Sequence, residues 1–418
     1  MAAVPAHPDR DSLSADPRAL PAAADPSPAP LPEPLGAGVY VHVPFCHVRC
    51  PYCDFATRPY RPAEVPGFVE GIVREAERRG NAAAREPYGS LYYGGGTPSR
   101  LPAGDFTRLA RGLDRALSFH PEHEHSLEAN PEDLDDERLA AWREAGVARL
   151  SIGAQSLHDD ELARLGRTHD ARAIEEGVRR ARRHGFANLS LDLMYAFPGH
   201  LEERFDESLE RALALDPDHV SAYAFTPEAG TRMGEAVRRG RVERPDEDRE
   251  AAFFERARDR LEAAGFRHYE ISNFARDGHE TRHHLAYWRR RPYLGLGPAA
   301  VSFLAGRRTV APRALPAWIA SIESGGAAEV DEAEAHAMFE TVFLGLRLDA
   351  GMRFADVSAA VSDEVREAWR AAGRRLAARG LLVEMPEGFR VPRRERVRTD
   401  SICLLWQNEA TAGTAGLV

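Results

Sequence analysis

From Val39 onward the chain alternates short apolar runs of β character with amphipathic helical stretches, and this alternation limits what it can fold into. The strand candidates are Val39–Val43, Ser90–Tyr93, Ser126–Ala129, Arg149–Gly153, Leu189–Tyr195 and Val220–Phe225. Helical periodicity fills the intervals near 63–79, 104–118, 135–145, 170–184 and 202–215. Six βα repeats in succession predict an α/β fold with a parallel sheet and helices outside it. No reversal of strand order can be read, so the expected form is a partial (β/α)6 barrel like that of triosephosphate isomerase, over residues 37–240. A post-barrel segment follows over 241–324. After about residue 330 two helix-like stretches, 333–348 and 362–379, precede Leu381–Met385, a Pro-Glu-Gly turn and Phe389-Arg390-Val391. Helices followed by a hairpin predict a small winged-helix-like domain over 325–410, then a flexible tail at 411–418. Nine of the 29 prolines lie in the first 34 residues, so residues 1–36 are predicted to be disordered.

Composition removes several function classes. No apolar run approaches the roughly 18 residues of a membrane span. The N-terminus shows no basic stretch followed by an apolar one, so the expected location is the cytoplasm. The net charge is -10, which argues against wholesale nucleic-acid binding. All 55 basic residues are arginine. Without lysine there is no Walker-A loop, no kinase β3 lysine and no Schiff base. Arg366, Arg370, Arg374, Arg375 and Arg379 recur along one C-terminal stretch. Read with the winged-helix pattern they suggest DNA binding; a solvated arginine face is the simpler reading.

The chain has four cysteines, too few for a disulfide scaffold. Cys46, Cys50 and Cys53 fall in one loop directly after the first strand, while Cys403 sits in the apolar stretch Ile402–Trp406 as a buried thiol. Three thiolates can hold three corners of a [4Fe–4S] cube and leave one iron open. A Cys3His zinc site using His42 or His47, or plain reduced thiols, are the alternatives. Polar or glycine features also stand at the ends of the next four strands, where a (β/α) barrel places its functional residues. They are Gly94-Gly95-Gly96-Thr97, Glu128 in Glu-Ala-Asn-Pro, Gln155 in Gly-Ala-Gln-Ser, and Asp192 within Leu189–Tyr195. A carboxylate in a buried strand needs a partner. A histidine- and aromatic-rich block, His283-His284-Leu-Ala-Tyr287-Trp288, then Tyr293 to Ser302, reads by itself as an ordinary loop with a surface histidine pair, although such a segment can also supply an imidazole ligand and aromatic walls to a haem.

The Cys-x3-Cys-x2-Cys loop, Tyr52 before its last cysteine and the strand-end motifs resemble the radical S-adenosylmethionine (SAM) superfamily. Over Val39 to about Trp406 the chain is similar to the radical SAM haem chaperone branch of the oxygen-independent coproporphyrinogen III oxidase family. The resemblance implies a [4Fe–4S] cluster on Cys46, Cys50 and Cys53. SAM would bind the open iron and, on reduction, yield a 5′-deoxyadenosyl radical. It assigns SAM contacts to Tyr40, Tyr52, Gly94, Gly95, Gly96, Thr97, Glu128, Gln155, Arg167, Asp192 and Ala224, and the haem site to His283. The haem chaperones carry His-Asn-x-x-Tyr-Trp, where this chain has His284 in place of Asn. Their Gly-Pro-Gly-Ala-His-Ser reads Gly-Pro-Ala-Ala-Val301-Ser here. His284 offers an imidazole one position on. The oxidases carry a further cysteine where this chain has Phe55, and their N-terminal region covers the active site. The implied function is therefore a haem chaperone passing haem to an acceptor protein, with an electron donor for the cluster. The alternative is a coproporphyrinogen III dehydrogenase forming protoporphyrinogen IX.

Overall fold

A computed structural model describes residues 30–83, 86–244, 246–324, 328–330 and 334–412. The barrel strands are β1 (Gly38–Val43), β4 (Tyr88–Gly95), β5 (Phe119–Ala129), β6 (Arg149–Gln155), β7 (Asn188–Tyr195) and β8 (His219–Ala224), and two short strands, β2 (Phe45–Cys46) and β3 (Arg58–Pro59), pair with each other around the cysteine loop. The outer helices are α1 (Val65–Ala83), α2 (Ala103–Ala116), α3 (Asp136–Glu144), α4 (Asp159–Arg164), α5 (Ala171–Arg183) and α6 (Glu202–Leu213). Asp135 and Asp170 cap α3 and α5 by accepting from the amides of Arg138 and Ala173, satisfying donors a helix start leaves free.

Each strand follows the two-residue alternation of a sheet. Val39, Val41, Val43, Leu91, Tyr93, Leu127, Leu150, Ile152, Leu189, Leu191, Leu193 and Val220 point outward into one core shared with the helices. The intervening residues form the inner face, and they are polar: Tyr40 and His42, Tyr92, Ser126 and Glu128, Arg149 and Ser151, Ser190 and Asp192, Ser221 and Tyr223. Parallel register sets Glu128 beside Ser151 and Asp192 beside Ser221. Consecutive strands are neighbours in the order β1-β4-β5-β6-β7-β8, without a reversal, as expected for a partial barrel.

The segment 241–324, read from sequence as a post-barrel segment, extends this sheet at both edges. After α7 (Arg232–Arg238), it supplies α8 (Glu247–Ala263), β9 (Arg267–Glu270), β10 (Asn273–Ala275), α9 (Arg282–Trp288), β11 (Tyr293–Leu296), β12 (Val301–Leu304), β13 (Arg307–Val310) and α10 (Leu315–Ser324), with β14 (Ala328–Val330) beyond. β11 lies parallel to β1, giving seven parallel strands in place of the six expected. β10 pairs antiparallel with β8 and β12 with β11.

The C-terminal unit combines α11 (Glu334–Gly345), β15 (Met352–Arg353), α12 (Asp363–Ala378), β16 (Val383–Met385), β17 (Gly388–Arg390) and α13 (Thr399–Ala412). Helix, strand, helix and hairpin follow the winged-helix order, and α13 closes the core with Trp406, whose indole donates to Trp369 O at 2.8 Å. Cys403 is buried there with no exposure. Thr411 and Ala412, assigned from sequence to the tail, complete α13; residues 413–418 lie outside the described residues. The arginines of α12 serve the fold. Arg366 donates to four carbonyls around Val361 and Phe354, Arg370 stacks on Phe354, Arg374 meets Glu384, and Arg375 and Arg379 grip Glu409.

The disorder expected for 1–36 needs correction over 30–36, while 1–29 lie outside the described residues. Leu31 is buried against Tyr269, Leu285 and Leu348. Glu33 pairs with Arg289 at 2.6 Å and Arg353 at 2.8 Å. No described helix is long and apolar enough to cross a membrane.

Candidate functional site

The cysteine loop crosses the C-terminal ends of the strands, held at both ends by β2 and β3. The Arg58 amide donates to Pro44 O and the Tyr60 amide to Cys46 O. Within the loop the guanidinium of Arg49 donates to Cys53 O, and from outside the Met233 amide reaches Pro51 O at 2.8 Å. Cys46, Cys50 and Cys53 wall one cavity of about 420 Å³. Thr97 Oγ1 donates to Cys46 Sγ at 3.5 Å and Arg167 Nη1 to Cys50 Sγ at 3.6 Å. Burial pushes the Cys46 thiol up to about 11 and raises Cys53 as well, so thiolates there need a compensating cation. Among the described residues no three histidine, cysteine or acidic side chains converge at metal-binding distance. The donor set nonetheless fits an iron–sulfur cluster: three thiols on one short loop, two of them already accepting hydrogen bonds, with Cys403 far away in another core. The histidines weighed for a zinc site are not free to join them. His42 Nε2 meets Ala56 O at 3.0 Å and its Nδ1 shares a bond with Tyr40. His47 is exposed, though it too faces this cavity.

The glycine loop lets backbone approach the site. Gly95 has φ +110°, and a Cβ there would lie 2.5 Å from the His42 ring. Its amide donates to Glu128 Oε2 at 3.1 Å, and Tyr92 Oη donates to Glu128 Oε1 at 2.9 Å. Glu128 is thereby fixed in the cavity wall. Burial drives its carboxyl up to about 7, with the Asp192 charge adding to the rise and both hydrogen bonds opposing it. Asp192 accepts from Ser151 at 2.9 Å and Ser190 at 3.2 Å, and burial raises its pKa too. Arg149 lies in the same inner face, its fully buried guanidinium making no hydrogen bond to protein among the described residues. Its charge lowers Asp192 and Glu128 and counts against protonating His284.

Of the residues expected to contact SAM, Tyr52, Gly95, Gly96, Thr97, Glu128, Gln155, Arg167 and Asp192 wall this cavity together with the three cysteines. Arg167 bridges it, donating to Asn130 Oδ1 at 2.7 Å and Gly153 O at 3.1 Å. Gly94 stands behind the wall, where a Cβ would lie 2.9 Å from the Tyr40 ring and 3.0 Å from Glu128 Oε1. Two placements differ. Tyr40 faces a neighbouring cavity instead, and Ala224 is absent from the wall, where Tyr223 stands one residue earlier and donates to Gln155 Oε1 at 2.6 Å. Strand alternation explains the second: Ala224 follows Tyr223, so its side chain turns to the other face. Tyr92, Asn130, Ser151, Ser221 and Asn273 also line the cavity and were not singled out from sequence. The polar half of each strand's alternation was the available signal.

The neighbouring cavity, about 540 Å³, shares Phe55, Gly95 and Glu128 with the first. Its walls include Tyr40, Tyr287, Tyr293 and Phe303, the arginines Arg290, Arg308 and Arg313, and Val301. Neither histidine of the His283-His284 pair lines it. His283 is 1% exposed, with Nδ1 bonded to Ser90 Oγ at 2.8 Å and Nε2 to Tyr287 Oη at 2.9 Å. Both His283 nitrogens are thus engaged by protein groups, and the ring stands behind the wall that Tyr287 forms. His284 faces the cysteine cavity, its pKa driven by burial down to about 3.

The family model of the radical SAM superfamily matches residues 40–212, and that of the HemN C-terminal domain matches residues 333–398. The chain is 38% identical over 345 residues to heme chaperone HemW of Mycobacterium tuberculosis, covering 79% of this chain and 86% of that protein. It is 35% identical over 324 residues to heme chaperone HemW of Bacillus subtilis, covering 76% and 86%. To the mitochondrial radical S-adenosyl methionine domain-containing protein 1 of Bos taurus it is 34% identical over 335 residues, covering 78% and 76%. Its fold is shared with coproporphyrinogen III oxidase (HemN) of Escherichia coli, at TM-score 0.75, 21% identity and coverage of 90% and 91%. With the thiol loop, the glycine turn and the buried carboxylates assembled at the strand ends of this barrel, the chain belongs to the radical SAM superfamily and, within it, to the family of the HemW haem chaperones.

Proposed function

We propose that this protein binds haem beside a [4Fe–4S] cluster and SAM, and delivers the haem to an acceptor protein. Cys46, Cys50 and Cys53 would hold the cluster. When bound, a cluster with one open iron offers an anchoring point for the amino and carboxylate groups of SAM and a store for one electron. Glu128 and Asp192 present buried carboxylates able to accept from the N–H groups of an amine or from ribose hydroxyls, and Arg167 and Asn130 fix the opposite wall. Phe55 stands between the two cavities, where the oxidases carry cysteine.

The observation that carries the haem reading is the aromatic cavity next to the cysteine cavity. Its roughly 540 Å³ falls in the usual range for ligand pockets, about 300–1,000 Å³. Tyrosine and phenylalanine rings suit a flat macrocycle, and arginines suit its carboxylates. On this reading His283 acts from behind the wall, orienting Tyr287, and is not an axial ligand. The test is anaerobic reconstitution followed by haem titration of three proteins: wild type, Val301→Trp and the His283→Ala/His284→Ala double variant. Filling the cavity with Val301→Trp is expected to weaken haem at least tenfold while SAM binding persists. Haem binding untouched by Val301→Trp but lost in the double variant would return the site to the histidine pair. Conversion of coproporphyrinogen III to protoporphyrinogen IX with SAM and reductant would establish the oxidase instead.

A further inference from the structure

The cysteine loop has a second face. Its inner face turns to the cavity of the cysteines; its outer face forms one wall of an open groove of about 800 Å³. Val48 and Arg49 border both spaces, so a body lying in the groove is separated from the cysteines by the loop alone. The other walls come from the end of α4 with Gly166, and from α7 with the residues after it. The groove is anchored to the loop at two points. The Met233 amide of α7 donates to Pro51 O at 2.8 Å. Gly166, at φ +69°, packs so closely that a Cβ would lie 2.7 Å from Pro51 Cδ.

The charge of this groove opposes that of the whole chain. Five arginines, Arg49, Arg164, Arg232, Arg239 and Arg241, line it against a single carboxylate, Glu235, in a protein of net charge -10. Arg164 and Arg239 are paired with α4 acids and with Glu235 respectively. Arg232 and Arg241 are exposed and have no acidic partner among the described residues. Beside them Val48 holds 50% of its surface in solvent. An exposed apolar residue in a groove lined by five arginines, two of them without an acidic partner, has the composition of a transient protein-docking surface.

We propose that this groove docks an acidic one-electron carrier protein of the iron–sulfur type, which reduces the cluster through the outer face of the cysteine loop. The proposal rests on the cluster reading above. It follows from the two-sided loop: the inner side is committed to the ligands of the cavity, so an electron has its short route from the outer side. The balance is simple. One electron leaves the reduced carrier, which becomes oxidised, and one electron enters the cluster; no bond or proton changes place. Complementary charge steers such encounters and makes them salt-dependent.

The test uses cluster-loaded protein with an acidic plant-type [2Fe–2S] ferredoxin as probe and the basic protein cytochrome c as control. Binding is measured directly by calorimetry at low and high salt. Cluster reduction is followed separately with ferredoxin and with dithionite. Ferredoxin is expected to bind at least tenfold more tightly than cytochrome c and to lose at least tenfold in affinity on raising salt. Arg232→Glu/Arg241→Glu is expected to weaken ferredoxin at least tenfold and slow its reduction of the cluster, leaving iron content, SAM binding and dithionite reduction unchanged. Unaltered ferredoxin affinity in that variant would overturn the docking proposal, as would displacement of ferredoxin by a short oligonucleotide that binds more tightly. Absence of iron, or of any dithionite-reducible cluster, would instead overturn the cluster reading on which it stands.

Discussion

Glu128→Gln tests the electrostatic design of the cavity. In the unfolded chain this carboxyl titrates near its ordinary 4.5; in the fold, burial holds it at about 7. Below pH 4.5 both states are protonated, and the site contributes no pH dependence. Between 4.5 and about 7 the unfolded chain ionises while the folded one keeps its proton, so stability falls as pH rises. Above about 7 both are ionised and the loss is complete. At about 1.4 kcal/mol for each pH unit, the full penalty is about 3 kcal/mol, an upper bound because cavity water reaches the carboxyl. Glutamine keeps an acceptor for Tyr92 and cannot ionise. Urea unfolding of the cluster-free protein, followed by circular dichroism, should therefore show the variant gaining about 2–3 kcal/mol on wild type between pH 5 and pH 8. Glu270, also driven up to about 7 by burial, is present in both proteins and cancels. In cluster-loaded protein SAM affinity should rise more steeply through pH 7 in wild type than in the variant, since ionised Glu128 is the stronger acceptor for the N–H groups of an iron-bound amine. A stability difference independent of pH would refute the reasoning, for it would mean that Glu128 is ionised throughout.

Replacing Cys46, Cys50 and Cys53 together by alanine should abolish the absorbance near 400 nm (roughly the sulfur-to-iron band) and the bound iron; Cys403→Ala should leave both and lower urea stability by about 1–2 kcal/mol through loss of a buried side chain. Asp192→Ala should weaken SAM by about 1–3 kcal/mol, because Ser151 and Ser190 lose their acceptor along with the ligand; equal SAM affinity by calorimetry would make Asp192 purely structural. Ala299 sits at φ +62°, where the family pattern has glycine, so Ala299→Gly should stabilise by about 0.5–1 kcal/mol in urea unfolding, the relief of left-handed strain outweighing the greater freedom of glycine when unfolded.

The barrel was legible because its outward residues repeat: Val39-Val41-Val43, Leu150-Ile152 and Leu189-Leu191-Leu193 mark strands by themselves. β11 was not, since Tyr293–Leu296 is four residues long and runs straight into the Gly297-Pro298 turn. The cysteines stood out by their spacing and Glu128, Gln155 and Asp192 by polar type at strand ends, and the fold brings these side chains to one cavity. Tyr223 and Arg149 were missed. In β8, Tyr223 sits among apolar and small residues that mark only a strand; in β6, Arg149 looked like the first residue of a strand, although the fold turns it wholly inward. The segment 30–36 was hidden for another reason. Its proline content signals disorder, while the partners that order it, Tyr269, Arg289 and Arg353, lie more than 200 residues away, beyond any local pattern.

The places where the chain leaves the family pattern are not scattered. His284 stands in the cysteine cavity, while Ala299 and Val301 stand in the aromatic one. Every thiol, glycine and carboxylate expected at the SAM end is retained. Only one of the three departures removes an imidazole, and it does so from the wall shared with Tyr40, Tyr287 and Phe303; another adds an imidazole beneath Tyr92, 5.3 Å from its ring. If the aromatic cavity holds haem, Val301 offers no nitrogen ligand there, and the iron is left to His42 on the same wall once released from Ala56 and Tyr40, to a tyrosinate, to an exogenous ligand or to the macrocycle contacts alone. Restoring the imidazole with Val301→His should then tighten haem and shift its absorption bands towards those of imidazole-ligated iron, with His283 and His284 unchanged. A spectrum identical to wild type in that variant would place the haem iron away from residue 301, and with it the haem outside this cavity.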